Sequence, residues 1–95
     1  PPGAPAIVVA DPWPQPALST LNLALTIGKD AHLHAEVFDL HGRSQRVLFD
    51  GAAHEGEVQL RWDLRRSDGR RCPPGMYLVR IGTQQNTVVR KLIVR

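Results

Sequence analysis

Cysteine occurs once in this chain, at Cys72, so an internal disulfide framework is excluded by counting. A sandwich or barrel of this length would then depend on its hydrophobic core. Apolar runs are short, with Leu92-Ile93-Val94 typical, and none could span a bilayer as a helix. The first residue is Pro1, and no basic start leads into an apolar stretch, so no signal peptide is visible and the chain reads as a module excised from a longer exported protein. Serine is scarce, and Ser19, Ser44 and Ser67 all lie outside any Gly-X-Ser-X-Gly setting. The aromatics Trp13, Phe38, Phe49, Trp62 and Tyr77 are too dispersed to form a stacking platform for single-stranded nucleic acid.

What remains fits one domain. A chain of 95 residues buries roughly 60–65% of the surface its unfolded form exposes, which allows one thin two-layer core. The formal charge of +3 comes from arginine far more than from lysine. It favours solubility and weak attraction to anionic surfaces without pointing to nucleic acid. Residues 1–10 are Pro-rich and read as a linker or edge strand. Pro1 to Ala6 would be extended linker, and Ile7-Val8-Val9 a short edge strand, since proline supplies no N–H to a ladder.

From Leu21 onward the period is two. Leu21, Leu23, Leu25 and Ile27 alternate with smaller or polar residues, then Leu33, Ala35 and Val37, then Val58, Leu60 and Trp62, then Tyr77, Val79 and Ile81, then Val88, Leu92 and Val94. Gly28-Lys29-Asp30, Asp39 to Arg43, Asp50-Gly51, Ser67-Asp68-Gly69, Pro73-Pro74-Gly75 and Gln84-Gln85-Asn86 punctuate them as turns. No window has a helical period. About seven short strands at spacings of roughly 8–12 residues predict an antiparallel β-sandwich over 11–95. The predicted core is Leu21, Leu23, Leu25, Leu33, Val37, Leu60, Trp62, Tyr77, Val79, Ile81, Leu92 and Val94.

Catalysis has little to stand on. Asp39, Asp63 and Asp68 are better explained as turn formers, with Gly42, Gly69 and Gly75 as their partners, than as a pair of carboxylates across a cleft. Cys72 has no base placed beside it and reads as a buried spectator thiol. His32 and His34 share a strand face and could offer two metal ligands, but His41 and His54 fall in turns, so the pair reads as a solvated face and no cofactor is implied. Trp62 and Tyr77 are in phase with core residues, which leaves Trp13 as the one aromatic free for a ligand. Arg61, Arg65, Arg66, Arg70 and Arg71 cluster around one long turn, interrupted by Asp63 and Asp68. They form a charged rim that suits an anionic glycan or lipopolysaccharide better than a nucleic acid.

Four segments in order carry a family resemblance: Asp11-Pro12 before an alternating strand; Val37-Phe38-Asp39-Leu40-His41-Gly42-Arg43; Leu60-Arg61-Trp62-Asp63 continuing to Asp68-Gly69-Arg70; and Pro74-Gly75-Met76-Tyr77 continuing to Arg90-Lys91-Leu92-Ile93-Val94. Together they resemble the immunoglobulin-like domain of the flagellar hook-capping protein and the C-terminal sorting domains of type IX secretion substrates. Departures from the pattern are Asp11 where Asn is usual, Phe38 where Tyr is usual, and Leu64 where Gly often follows Trp-Asp. The glycine before Met76-Tyr77 is expected where a Cβ would crowd a neighbour.

The resemblance implies an immunoglobulin-like sandwich that is not an enzyme, at the cell surface or outside the cell. Its partner would be a secretion apparatus or a neighbouring domain, met through the last strand, Val88 to Arg95, with Lys91 and Arg95 as contacts. Two other roles fit the same residues: a structural or assembly module, and a carbohydrate-binding appendage of a hydrolase built around Trp13.

Overall fold

A computed structural model describes residues 7–95. The expectation of a linker over Pro1 to Ala6 lies outside the described residues. Seven strands follow one another: β1 (Ile7–Val9), β2 (Leu21–Ile27), β3 (Ala31–Asp39), β4 (Ser44–Ala53), β5 (Gly56–Trp62), β6 (Gly75–Gly82) and β7 (Thr87–Val94). They form a three-stranded sheet in the order β1-β2-β5 and a four-stranded sheet in the order β4-β3-β6-β7, antiparallel throughout. Described residues thus make an all-β, immunoglobulin-like sandwich, as the period of two predicts.

The alternation decides which side chains meet between the sheets. Leu21, Leu23, Leu25 and Ile27 face Leu33, Ala35, Val37, Val79, Ile81, Leu92 and Val94, all buried. Full burial of each such leucine or valine contributes roughly 1.5–3 kcal/mol relative to exposure. Trp62 and Tyr77 close one end in an edge-to-face pair with ring centroids 5.7 Å apart. The Trp62 indole N–H donates to the Arg65 carbonyl at 3.0 Å, and the Tyr77 hydroxyl to the Pro73 carbonyl at 2.5 Å. Both polar ends are therefore satisfied inside an apolar setting.

Four expectations need correction. Leu60 packs against the core but is only half-buried, because β5 is the edge of the smaller sheet. Asp50-Gly51 does not end a strand: β4 runs on to Ala53, pairing Asp50 with His34 and Gly51 with Leu33. An edge strand tolerates a glycine there because it packs on one neighbour only. Gly75 is not crowded, since a Cβ there would meet nothing within 4 Å. Its φ of +152° is what favours glycine. Finally, Ile7, Val9, Ala17 and Leu64 also belong to the core.

Candidate functional site

The long segment between β5 and β6 folds over the end of the sandwich where β3 and β5 finish and β6 begins. Asp39 makes the neighbouring turn. Its Oδ1 accepts the N–H groups of His41 and Arg43, both at 2.9 Å, and its Oδ2 accepts Arg43 Nε at 3.0 Å. The Arg43 backbone donor, foremost, holds the Asp39 carboxyl below the usual range. Gly42 takes φ +81° inside that turn. Asp63 Oδ1 accepts from the Arg65 N–H and from Arg46 Nη1 of β4, each at 3.0 Å. Asp68 Oδ1 accepts the Arg70 N–H at 2.9 Å, and Gly69 follows at φ +89°. The backbone N–H of Ser67 donates to the Gln45 carbonyl at 2.9 Å, which fastens this segment to β4. Each carboxylate is occupied by turn donors and by arginines of the same rim.

Cys72 lies beneath this segment, buried, with its N–H on the Leu64 carbonyl at 2.8 Å. Burial pushes its thiol pKa upward, with the Arg66 charge opposing. A protonated thiol out of solvent is a poor nucleophile. On the outer face of the larger sheet, His32 Nε2 sits 2.6 Å from Asp50 Oδ1, and His34 Nε2 sits 2.7 Å from Glu36 Oε1. Among the described residues, no group of three or more His, Cys, Asp or Glu side chains is arranged to hold a metal ion.

The last strand has a more unusual setting. Its neighbour in the sheet is β6, and its other edge faces the open side of the sandwich. A strap, 12–18, crosses that side from the smaller sheet to the larger. At one end Trp13 pairs with Asn22 of β2 through two backbone hydrogen bonds, 3.1 and 2.7 Å. At the other end the Ala17 N–H donates to the Ile93 carbonyl at 2.8 Å, and the Arg95 N–H donates to the Ala17 carbonyl at 2.9 Å. Between them the Gln15 side chain imitates a strand. Its Oε1 accepts the Ile93 N–H at 2.8 Å, and its Nε2 donates to the Lys91 carbonyl at 3.2 Å. Proline on either side of Gln15 supplies no backbone N–H, so the side-chain amide does the pairing. Arg71 Nη2 then donates to the Leu18 and Arg95 carbonyls, at 2.7 and 2.9 Å.

Lys91 and Arg95 are both exposed and belong to this strand and its end. Trp13 is 60% exposed but lies on the far end of the strap, against a cleft of about 210 Å³ lined by Asn22, Gln59 and Arg61 among others. The structure thus joins Trp13 to β7 through the strap and does not gather it with Lys91 and Arg95 into one pocket. The sequence reading misses Gln15 and Ala17, and it places Arg71 in the charged rim without its bonds to the Leu18 and Arg95 carbonyls. The one hint was a lone amide between prolines. A further feature is legible only in hindsight: no Asp or Glu follows Asp68, while Arg70, Arg71, Arg80, Arg90, Lys91 and Arg95 do.

Comparison with known proteins agrees with this layout. No curated protein sequence matches the chain. Among solved structures, dimeric latent PorU from Porphyromonas gingivalis aligns with TM-score 0.73 and 20% identity, over 97% of this chain and 10% of PorU. FlgD from P. aeruginosa aligns with TM-score 0.58 and 21% identity, over 90% of this chain and 69% of FlgD. PorZ, an essential surface component of the type-IX secretion system of P. gingivalis, aligns with TM-score 0.58 and 22% identity, over 94% of this chain and 11% of PorZ. The chain spans about a tenth of PorU and of PorZ, and at these identities the likeness shows the fold. The family model of the secretion system C-terminal sorting domain matches residues 12–95, from the strap through β7. A domain of this kind is a non-catalytic sorting tail of an exported protein bound for the cell surface or the medium. The chain belongs to the secretion system C-terminal sorting domains.

Proposed function

We propose that this domain is the export signal of a longer protein, and that a type IX secretion apparatus reads it on strand β7, with Lys91 and Arg95 as charged contacts. The observation that carries the reading is the family match, which runs over the strap and all of β2 to β7 and finishes with that strand. The geometry supports it. The even-numbered residues Leu92 and Val94 are spent on the core, while Lys91 and Arg95 remain in solvent. The turn residues Asp39, Gly42, Asp63, Asp68, Gly69 and Gly75 build the end of the sandwich against which β7 finishes, so their role is to present the strand. Trp13 anchors the strap that lies along it.

A second reading draws on the cations after Asp68, which suit an anionic glycan such as lipopolysaccharide. It predicts binding that falls steeply with salt.

The test is export of a reporter that carries a signal peptide and residues 11–95, expressed in a host with a type IX apparatus. Deleting Val88 to Arg95 would also remove the buried Leu92 and Val94 and unfold the sandwich. The informative variant is Lys91→Glu with Arg95→Glu, since both residues are exposed. The wild-type fusion is expected in the medium or on the surface, and the double variant in the periplasm. A wild-type fusion that stays in the periplasm would overturn the sorting role. A double variant exported like wild type would remove Lys91 and Arg95 from the recognition surface.

A further inference from the structure

Pairing with β6 alternates along β7. Lys91 and Ile93 turn their backbone groups away from β6, because Gln15 reaches the Lys91 carbonyl and the Ile93 N–H from the open side. The β6–β7 register is unbroken from Gly75↔Val94 to Gly82↔Thr87. Val89 and Thr87 therefore turn outward as well. The strap ends its coverage at Lys91. Among the described residues, no backbone or side-chain acceptor takes up the outward N–H of Thr87, Val89 or Lys91. The Val89 carbonyl receives only the guanidinium of its own neighbour, Arg90, whose other nitrogen bridges to the Val9 carbonyl of β1 at 3.1 Å.

This bare half-edge differs from the sandwich's other edges. Strand β4 is interrupted by two register shifts and carries the Ser67 and Arg46 fastenings, which is how edges are kept from pairing. Strand β1 has three residues. Strand β5 shows solvent both charge signs, with Glu57, Gln59 and Arg61. Strand β7 instead carries Arg90 and Lys91 with no carboxylate, beside a Val89 that is 50% exposed.

We infer that the outer edge of β7 from Thr87 to Lys91 accepts an extended, acidic strand of a partner protein, which adds to the four-stranded sheet by backbone hydrogen bonding. The three free N–H groups supply the ladder, and Val89 the apolar contact. Charge selects the occupant, since carboxylates on the incoming strand would meet Lys91 and the Arg90 guanidinium at the Val89 carbonyl. Gln15 sets the end of the dock, because beyond Lys91 its amide already fills the edge. The inference rests on the proposed reading of β7 as the recognition element, and names how that element is read.

Val89→Pro is the discriminating variant. It deletes the outward N–H and no ladder bond to β6, so the fold is expected to hold and to melt within a few degrees of wild type. Val89→Thr keeps the N–H and serves as control. Amide exchange would be followed by NMR on the chain, alone and with a nine-residue peptide of alternating Glu and Val. In the free chain, Val89 and Lys91 are expected to exchange fast, and the peptide to slow both by at least roughly tenfold. The slowing is expected to persist in Val89→Thr and vanish in Val89→Pro. Amides already protected in the free chain would show the edge to be covered, by residues 1–6 or, where protection grows with concentration, by a second copy, and would overturn the inference. Protection on β5 or β4 instead, or none, would do the same.

The export assay separates this inference from the sorting role. A Val89→Pro fusion that is folded yet retained supports strand addition. One exported like wild type refutes it and leaves the sorting role standing. Peptide binding at Val89 and Lys91 with a wild-type fusion that is never exported sinks the sorting role and keeps the docking edge.

Discussion

Leu64 holds a conformation that leucine rarely adopts, with φ at +64° and its side chain fully buried. Two opposing terms meet there. A left-handed backbone costs a non-glycine residue roughly 1–2 kcal/mol. Truncating a buried leucine to alanine costs about 2–5 kcal/mol. Burial wins, which is how leucine persists where the family pattern often has glycine. Leu64→Ala keeps the backbone cost and loses the packing, so it should destabilise by about 3 kcal/mol, or roughly 12–24 °C in melting temperature for a chain this size. Leu64→Gly loses the same packing but regains the backbone term. At an ordinary position glycine is less stable than alanine by about 0.5–1 kcal/mol. Here the order should reverse, with glycine ahead by roughly 0.5–1 kcal/mol once its larger unfolded-state entropy is subtracted. Urea denaturation of wild type, Leu64→Gly and Leu64→Ala measures it. An alanine variant as stable as the glycine variant would refute the reasoning, whatever the size of either loss.

Gln15→Ala should leave the Ile93 amide without an acceptor and speed its exchange, while Gln15→Glu keeps that acceptor and should protect Ile93 nearly as well; equal exchange in all three forms would deny the side chain its strand-like role. Cys72 should react with a thiol reagent only in denaturant, because its thiol is buried and its pKa raised; prompt labelling of the folded chain would contradict this. Acid should weaken the fold. Asp30, Asp39 and Asp68 are held below their ordinary pKa chiefly by backbone N–H donors, and Asp50 chiefly by His32. A carboxyl lowered in the folded state contributes fully above its unfolded pKa and loses that contribution as pH falls through the folded value, so the urea midpoint should drop below about pH 4. His34, raised first by its hydrogen bond to Glu36, has the opposite sign, and its contribution fades as pH climbs through a value above 6.5. A midpoint that rises between pH 5 and pH 3 would sink the acid argument; both figures are approximate bounds set by ordinary carboxyl titration.

The fold was legible because its signal is local. Alternation at Leu21 to Ile27 and at Val58 to Trp62 reports directly on which face is buried. It failed where burial depends on a neighbour in space. Leu60 keeps the correct phase but sits at a sheet edge, and sequence does not mark which strand lies at an edge. Leu64 is buried by a loop that folds back, and Ala17 by a strap that pairs with a strand more than seventy positions away. Asp50-Gly51 looks like a turn, yet a longer partner strand carries the ladder through it. The proposed recognition surface divides in the same way. The family resemblance names Lys91 and Arg95, whereas Gln15 and Arg71 matter through hydrogen bonds across 78 and 24 positions.

A sorting signal read on β7, as proposed above, shares that strand with the core. In β7, Leu92 and Val94 are buried and Val88 packs against them, so any change at those positions alters stability before it alters recognition. The residues left to carry information are the outward ones, Thr87, Val89, Lys91 and Ile93, together with their backbone donors. Ile93 is already half-buried and tied to Gln15. On the proposed reading, that narrows the element to the stretch Thr87 to Lys91 and to the charge at Arg95. Backbone donors carry no side-chain identity, so an element read through them tolerates wide sequence change. PorU, only 20% identical, shares the sandwich. Specificity must come from what is cheap to keep: one charge sign along the strand, and a strap that fixes where the open edge stops.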